Sequence, residues 1–94
     1  LILVLGHESC GAVTAAVNGG DNGPNLNHLC DHITDAVKAG EGKELAEVIK
    51  INAANNAKTL ASKSQIIGDA FTNKKVEIKS GYYNLGSGVV DFLD

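Results

Sequence analysis

The chain has 94 residues, of which 44% are hydrophobic, and a formal charge of −3, so it has the size and apolar content of a single globular domain. It contains no run of basic residues interleaved with aromatic ones, and we therefore expect no nucleic-acid partner. None of its apolar stretches is long enough to cross a bilayer, so we expect no membrane partner.

The chain opens with consecutive aliphatic residues, Leu1 to Leu5, which predict a strand buried on both faces, as in a parallel sheet. Gly6 allows a sharp turn after this strand. Ser9 is the predicted N-cap of a short, alanine-rich helix over residues 10–18. The opening segment therefore predicts a strand that leads directly into a helix.

Two side chains with metal-binding chemistry lie where this strand gives way to the helix. His7 and Cys10 follow the carboxyl end of the strand, the edge at which open α/β sheets bind their ligands. Neutral imidazole and thiolate are ligands that zinc prefers. The spacing predicts two ligands of one Zn²⁺ ion, although a histidine near a helix start beside a buried thiol is an alternative.

The middle of the chain predicts helices. A turn-rich loop over residues 18–24 precedes an amphipathic helix over residues 25–39, and a long helix follows over residues 43–62. Ser64 is the predicted N-cap of a further short helix that ends at Asn73.

The last part of the chain predicts a hairpin. Hydrophobic and polar residues alternate over residues 75–84, a glycine-rich turn follows at residues 86–88, and residues 89–93 return as a second strand. Tyr82 and Tyr83 are expected to be packing residues of this hairpin. The order of strand, helices and two strands predicts an α/β domain.

His28, Cys30 and His32 form a second group of possible metal ligands in the predicted helix over residues 25–39. A metal site is one interpretation, because His28 and His32 are four residues apart and share a helical face. Asp31 and Asp35 lie on the same polar side, and solvated histidines are the simpler interpretation.

Cys10 and Cys30 are the only cysteines, which is too few for a disulfide scaffold, although one disulfide between them remains open. We expect a reducing compartment, either the cytoplasm or the interior of an organelle.

Two segments carry a resemblance to a known family. The strand followed by Gly6-His7-x-x-Cys10-Gly11 and a helix of small residues resembles the second zinc-binding segment of the β-class carbonic anhydrases. Residues 81–93 resemble the end of the same domain. The resemblance implies a mostly parallel β-sheet flanked by helices, a Zn²⁺ cofactor held by His7 and Cys10, and reversible hydration of carbon dioxide to bicarbonate. It also implies a homodimer or a larger homo-oligomer.

One segment of that family has no counterpart in residues 1–94. In the family, a strand carrying Cys-x-Asp-x-Arg lies next to the strand that matches Leu1–Leu5; its cysteine is the third protein ligand of zinc, and its Asp–Arg pair governs access to the fourth position. All eight basic residues here are lysine, so the pair cannot lie within this chain. The resemblance therefore implies a single partial domain over residues 1–94, truncated on its N-terminal side and carrying part of the site.

The start of the chain agrees with that expectation. The chain lacks methionine and begins within a strand pattern, which predicts a fragment of a longer protein; a processed protein that begins at Leu1 is the alternative. Without a neighbouring strand, Leu1–Leu5 is expected to recruit a second chain or to pair directly with residues 75–84.

Three further residues are predicted to shape the site. Gly6 and Gly11 lie where a side chain would crowd the ligands or the start of the helix. Glu8 lies between the ligands, and its carboxylate either orients His7 or is an exposed loop carboxylate.

Two other functions remain open. A chain with this fold and an incomplete zinc site would serve as a catalytically inactive structural or interaction module. A domain that binds anions at the N-terminus of the helix after Gly6 is the third alternative. Zinc bound at about one ion per chain would favour the enzyme over both.

Overall fold

The computed structural model describes residues 1–94 and contains strands and helices in the order that the sequence predicts for an α/β domain. The elements, in chain order, are β1 (Ile2–His7), α1 (Gly11–Asn18), α2 (Pro24–Asp31), α3 (Thr34–Ala39), α4 (Leu45–Lys63), α5 (Gln65–Thr72), β2 (Ile78–Tyr83) and β3 (Val90–Phe92). No helix has both the length and the apolar character needed to span a membrane.

The three strands form one sheet in the order β1-β2-β3. β1 runs parallel to β2, with the register running from Ile2 opposite Ile78 to His7 opposite Tyr83. β3 is antiparallel to β2 over a shorter segment. Of the two alternatives for the first strand, direct pairing with residues 75–84 is therefore confirmed, and the longer of the two pairings is parallel.

β1 is an edge strand, and this position changes its burial. The prediction that Leu1–Leu5 is buried on both faces is wrong, because Leu1 is 74% exposed and Leu5 is 47% exposed. No strand pairs with the outer edge of β1. Successive side chains of a strand point to opposite faces, and Leu5 lies on the face that α4 does not cover.

The core lies between α4 and the sheet, because α4 packs against both β1 and β2. Gly6 permits this close approach, since a Cβ atom at this position would lie 2.7 Å from Cγ2 of Ile49 on α4. The buried residues of the main cluster come from α1, the start of α3, α4 and β2: Val13, Ile33, Ala36, Val48, Ile49 and Tyr82.

The helix predicted over residues 25–39 is two helices, α2 and α3, separated at His32 and Ile33. The N–H groups of these residues donate to carbonyls three residues back, those of Leu29 and Cys30, at 3.1 and 2.9 Å. Such tight bonds are typical of a helix end. The break brings Ile33 into the core, where it is 5% exposed.

The loop between α1 and α2 is fixed by a carboxylate. Asp21 accepts hydrogen bonds from the N–H of Gly23 at 3.0 Å and from Nδ2 of Asn27 at 2.9 Å. The hydrogen bond from Gly23, together with that from Asn27, holds the pKa of Asp21 below its ordinary value.

One of the two predicted N-caps is confirmed. Ser64 accepts a hydrogen bond from the N–H of Ile67 at 3.3 Å, so it caps α5 as predicted. Ser9 is not the N-cap of α1, because that helix begins after Cys10 and no side chain caps it. Ser9 instead has a positive φ of 58° and reverses the chain between β1 and α1.

Candidate metal centre

His7 and Cys10 line one small cavity at the carboxyl end of β1. His7 is the last residue of β1, and Cys10 immediately precedes α1. The cavity has a volume of about 130 Å³, and its wall also includes Asn52 and Asn56 of α4. No residue of β2 or β3 lines it, so the cavity lies beside the unpaired edge of β1.

His7 is held by a hydrogen bond that leaves one ring nitrogen free. Its Nδ1 lies 3.1 Å from the carbonyl oxygen of Glu8. Because a carbonyl oxygen can only accept, Nδ1 carries the hydrogen in this contact. In the neutral imidazole Nε2 then has the lone pair that a metal ligand needs, and the side chain is exposed.

Cys10 is fixed by its own backbone. Its carbonyl oxygen accepts hydrogen bonds from the N–H of Thr14 at 3.0 Å and from Oγ1 of Thr14 at 2.7 Å. The thiol is free and half-buried. The residue is therefore anchored to the first turn of α1, and its half-buried side chain packs at the margin of the core.

Glu8 makes a different contact from the one that the sequence suggests. Its carboxylate accepts a hydrogen bond from the N–H of Leu85 at 2.9 Å and does not touch His7. Its main-chain carbonyl is the group that contacts His7. Both predicted roles of the Glu8 carboxylate are therefore wrong. It does not accept a hydrogen bond from the imidazole, and it is not a free loop carboxylate because it binds the N–H of Leu85.

The two glycines of the motif have different surroundings. A side chain at Gly6 would collide with Ile49 of α4, so the backbone does approach closely there, but the neighbour is α4 and not the ligands or the start of α1. A Cβ atom at Gly11 would meet nothing within 4 Å, so the prediction of crowding at Gly11 is wrong within this chain.

The chemistry of His7 and Cys10 fits zinc, but these two residues are not a complete site. Zinc sites in proteins use three or four protein ligands. The chain contains no group of three or more His, Cys, Asp or Glu side chains that could hold a metal ion.

The second group of possible ligands does not assemble as a metal site. The rings of His28 and His32 are in edge-to-face contact, with centroids 5.1 Å apart, and both are exposed. Cys30 instead lines a separate cavity with Asp31 and Asn27. The exposure of both rings fits the simpler interpretation, solvated histidines.

Asn52 and Asn56 were absent from the residues predicted from the sequence. Nδ2 of Asn56 donates to the carbonyl oxygen of Asn52 at 2.8 Å, which holds the two amides together along α4. Their spacing of four residues was the available signal, but it fits any exposed helical face equally well.

Comparison with family models identifies one family, and comparison with solved structures shows a similar fold. A family model described as carbonic anhydrase matches residues 1–90. No curated protein matches the chain. A solved structure from a study of two tetrameric β-carbonic anhydrases of the filamentous ascomycete Sordaria macrospora is similar, with 20% sequence identity and a TM-score of 0.77. The match covers 98% of this chain and 51% of that one, so the chain spans about half the length of this structure. At this identity the likeness shows the fold.

Proposed function

Because the chain belongs to the β-carbonic anhydrase family, we propose that it forms part of a zinc site for the reversible hydration of carbon dioxide to bicarbonate. The observation that carries the proposal is the common cavity of His7 and Cys10 at the end of β1. Their nitrogen and sulfur atoms match the ligands that zinc prefers.

We propose that a further protein ligand is supplied from outside residues 1–94, because these residues contain no group of three possible ligands. The unpaired edge of β1 runs beside the cavity, so a strand added at this edge would bring its side chains to the site. The resemblance to the family assigns this position to the strand with Cys-x-Asp-x-Arg. We therefore place the third ligand on a strand that pairs with β1.

The side chains around the cavity suit a small uncharged substrate. Val4 and Val13 give one part of the wall an apolar surface, whereas the amides of Asn52 and Asn56 supply polar groups on the α4 side. A zinc ion in such a site supplies hydroxide near neutral pH by lowering the pKa of water. His7 and Cys10 would hold the ion at the boundary between the two kinds of surface.

Zinc removal tests the proposal. In the full-length protein we expect about one zinc ion per chain, loss of carbon dioxide hydration after chelation, and recovery when zinc is added back. Residues 1–94 alone should bind zinc weakly, because they provide two ligands. Elemental analysis and stopped-flow hydration assays measure these quantities. Hydration that survives complete zinc removal, or tight stoichiometric zinc in residues 1–94 alone, would contradict the proposal.

The absence of a third ligand also favours a second candidate, a catalytically inactive structural or interaction module. The two functions differ in their metal content. A full-length protein that folds and assembles without zinc and lacks hydration activity would support the module.

We further propose that the protein assembles as a homo-oligomer. The similar Sordaria macrospora structure is described as tetrameric. Leu5 and Phe92 are large apolar side chains that are 47% and 59% exposed, and both belong to the sheet. A partner surface that covers them would remove this apolar area from water.

A further inference from the structure

We propose that Glu8 is a positioning residue that couples the turn between β2 and β3 to the imidazole of His7. The inference rests on the proposed role of His7 as a zinc ligand, since it concerns how that ligand is held. Residues 84–89 connect β2 and β3, and we refer to them as the hairpin turn.

Glu8 makes three hydrogen bonds, each with a different group. Its N–H donates to the carbonyl oxygen of Tyr83 at 2.9 Å, which continues the β1–β2 pairing past His7. Its carboxylate accepts from the N–H of Leu85 in the hairpin turn at 2.9 Å. Its carbonyl oxygen faces Nδ1 of His7 at 3.1 Å. One residue therefore joins the ligand to the hairpin.

The carboxylate has a firm anchor. Within the hairpin turn, the N–H of Gly88 donates to the carbonyl oxygen of Asn84 at 2.8 Å, and the N–H of Asn84 donates to the carbonyl oxygen of Val89 at 2.9 Å. The donor at Leu85 is thus part of a hydrogen-bonded turn. A hydrogen bond to an ionised carboxylate is stronger than one between neutral groups.

The Glu8 carboxylate restrains the turn between β1 and α1, which includes Ser9. Ser9, the next residue, has a φ of 58°, which is uncommon for a residue other than glycine and persists where the surroundings hold it. The Glu8–Leu85 bond supplies such a restraint on the preceding residue. When it is lost, the Glu8 carbonyl is free to turn away from Nδ1 of His7.

The consequence for His7 concerns its tautomer. While Nδ1 donates to the Glu8 carbonyl, the hydrogen is on Nδ1 and the lone pair is on Nε2. Groups that fix the tautomer of a metal-binding histidine typically change metal affinity by about 10- to 100-fold when they are mutated. The Glu8 side chain acts on His7 through its own backbone.

The experiment measures the His7 tautomer by nitrogen-15 NMR in metal-free protein, with amide hydrogen exchange at residue 85. Glu8→Ala should lower the population of the Nδ1–H tautomer and speed exchange at the Leu85 amide by roughly tenfold, as expected for loss of one hydrogen bond to a charged group. Glu8→Gln keeps an acceptor oxygen and should retain the original tautomer. Glu77→Ala, which removes an exposed glutamate before β2, is the matched control.

Leu85→Pro tests the same bond from its donor side, because proline has no N–H and suits the first corner of a turn. It should shift the His7 tautomer as Glu8→Ala does, and the double variant should shift it no further. If one of the two single variants, Glu8→Ala or Leu85→Pro, fails to fold, the other one alone tests the inference. An unchanged tautomer in a folded Glu8→Ala or Leu85→Pro protein would overturn the inference.

The readout separates this inference from the proposed function. The tautomer is measured without metal, so a tautomer shift in a protein that never binds zinc would support the coupling and contradict the zinc site. In a zinc-binding protein, Glu8→Ala should also weaken zinc binding by about tenfold or more, while Glu8→Gln should not.

Discussion

Cys10 and Cys30 are both free thiols, but they have different surroundings. Cys10 shares its cavity with His7, whereas Cys30 faces a second cavity between α1 and α2. This difference provides a matched pair of substitutions in one chain, because each replaces a half-buried thiol with a hydroxyl.

Under the proposed function we expect Cys10→Ser to reduce carbon dioxide hydration to roughly the level of the zinc-free protein, because a neutral hydroxyl is a far poorer zinc ligand than a thiolate. Cys30→Ser should keep both zinc and activity. Stopped-flow hydration and zinc content measure the outcome. Full activity in Cys10→Ser, or equal losses in the two variants, would remove Cys10 from the metal site.

The two candidate ligands can be predicted from the sequence because their residue types and their spacing are local properties. The contact between Glu8 and Leu85 joins residues 77 positions apart, and no spacing rule relates them. Asn52 reaches the cavity because α4 packs across β1. This packing is a tertiary contact, which residue spacing does not reveal. The local part of the candidate site therefore follows from the sequence, whereas the part built by long-range packing does not.

At the scale of single elements, the close approach of α4 to β1 depends on Gly6, which has no side chain. Gly6 faces Ile49 at a distance that leaves no room for a Cβ atom, whereas Gly11 has open space around it and a negative φ. The two glycines of the same motif therefore provide a second matched pair.

Gly6→Ala should destabilise the fold by about 1–3 kcal/mol, the usual range for forcing an extra group into a packed core. Gly11→Ala should be neutral or stabilise by up to about 1 kcal/mol, because alanine restricts the unfolded chain at a position that it can adopt without strain. Urea unfolding followed by circular dichroism measures both. Equal stability of the two variants would mean that α4 does not depend on Gly6.

Element boundaries were predictable where a local chemical signal marks them. The cap at Ser64 has such a signal, and the structure confirms it. The break at His32 and Ile33 has none, because the apolar stripe continues across it and the break allows Ile33 to enter the core. Ser9 was misassigned because its residue type suits both a cap and the sharp turn that it actually makes.

At the scale of the whole molecule, the chain exposes more surface than a typical folded monomer of its mass. Its accessible area is 6198 Å² for 9.7 kDa, whereas the scaling for folded monomers gives roughly 5,100 Å². Its radius of gyration is 14.2 Å, against roughly 12.4 Å for a compact domain of this length. Only 10 of 94 residues are buried, so a partner surface would add substantially to the core.

Leu3 is the residue at which this expectation can be tested. It lies in the middle of β1, which has one unpaired edge, and alternation places it on the same sheet face as exposed Leu5. Unpaired strand edges with apolar side chains recruit other strands. We therefore expect the chain to form a dimer or larger assembly, and Leu3→Lys to abolish assembly or folding because it places a charge on the surface to be covered.

Ile66→Lys is the control, since Ile66 on α5 is 84% exposed and lies outside the sheet, so the same added charge there should leave assembly unchanged. Light scattering over a concentration series measures the mass of each variant, and circular dichroism separates loss of assembly from loss of folding. A folded monomer at high concentration that tolerates Leu3→Lys would show that β1 is not the surface that a partner covers. In that case the extra exposed area would have to be covered elsewhere, and the apolar side chain of Phe92 on β3, which is 59% exposed, would be the next position to charge.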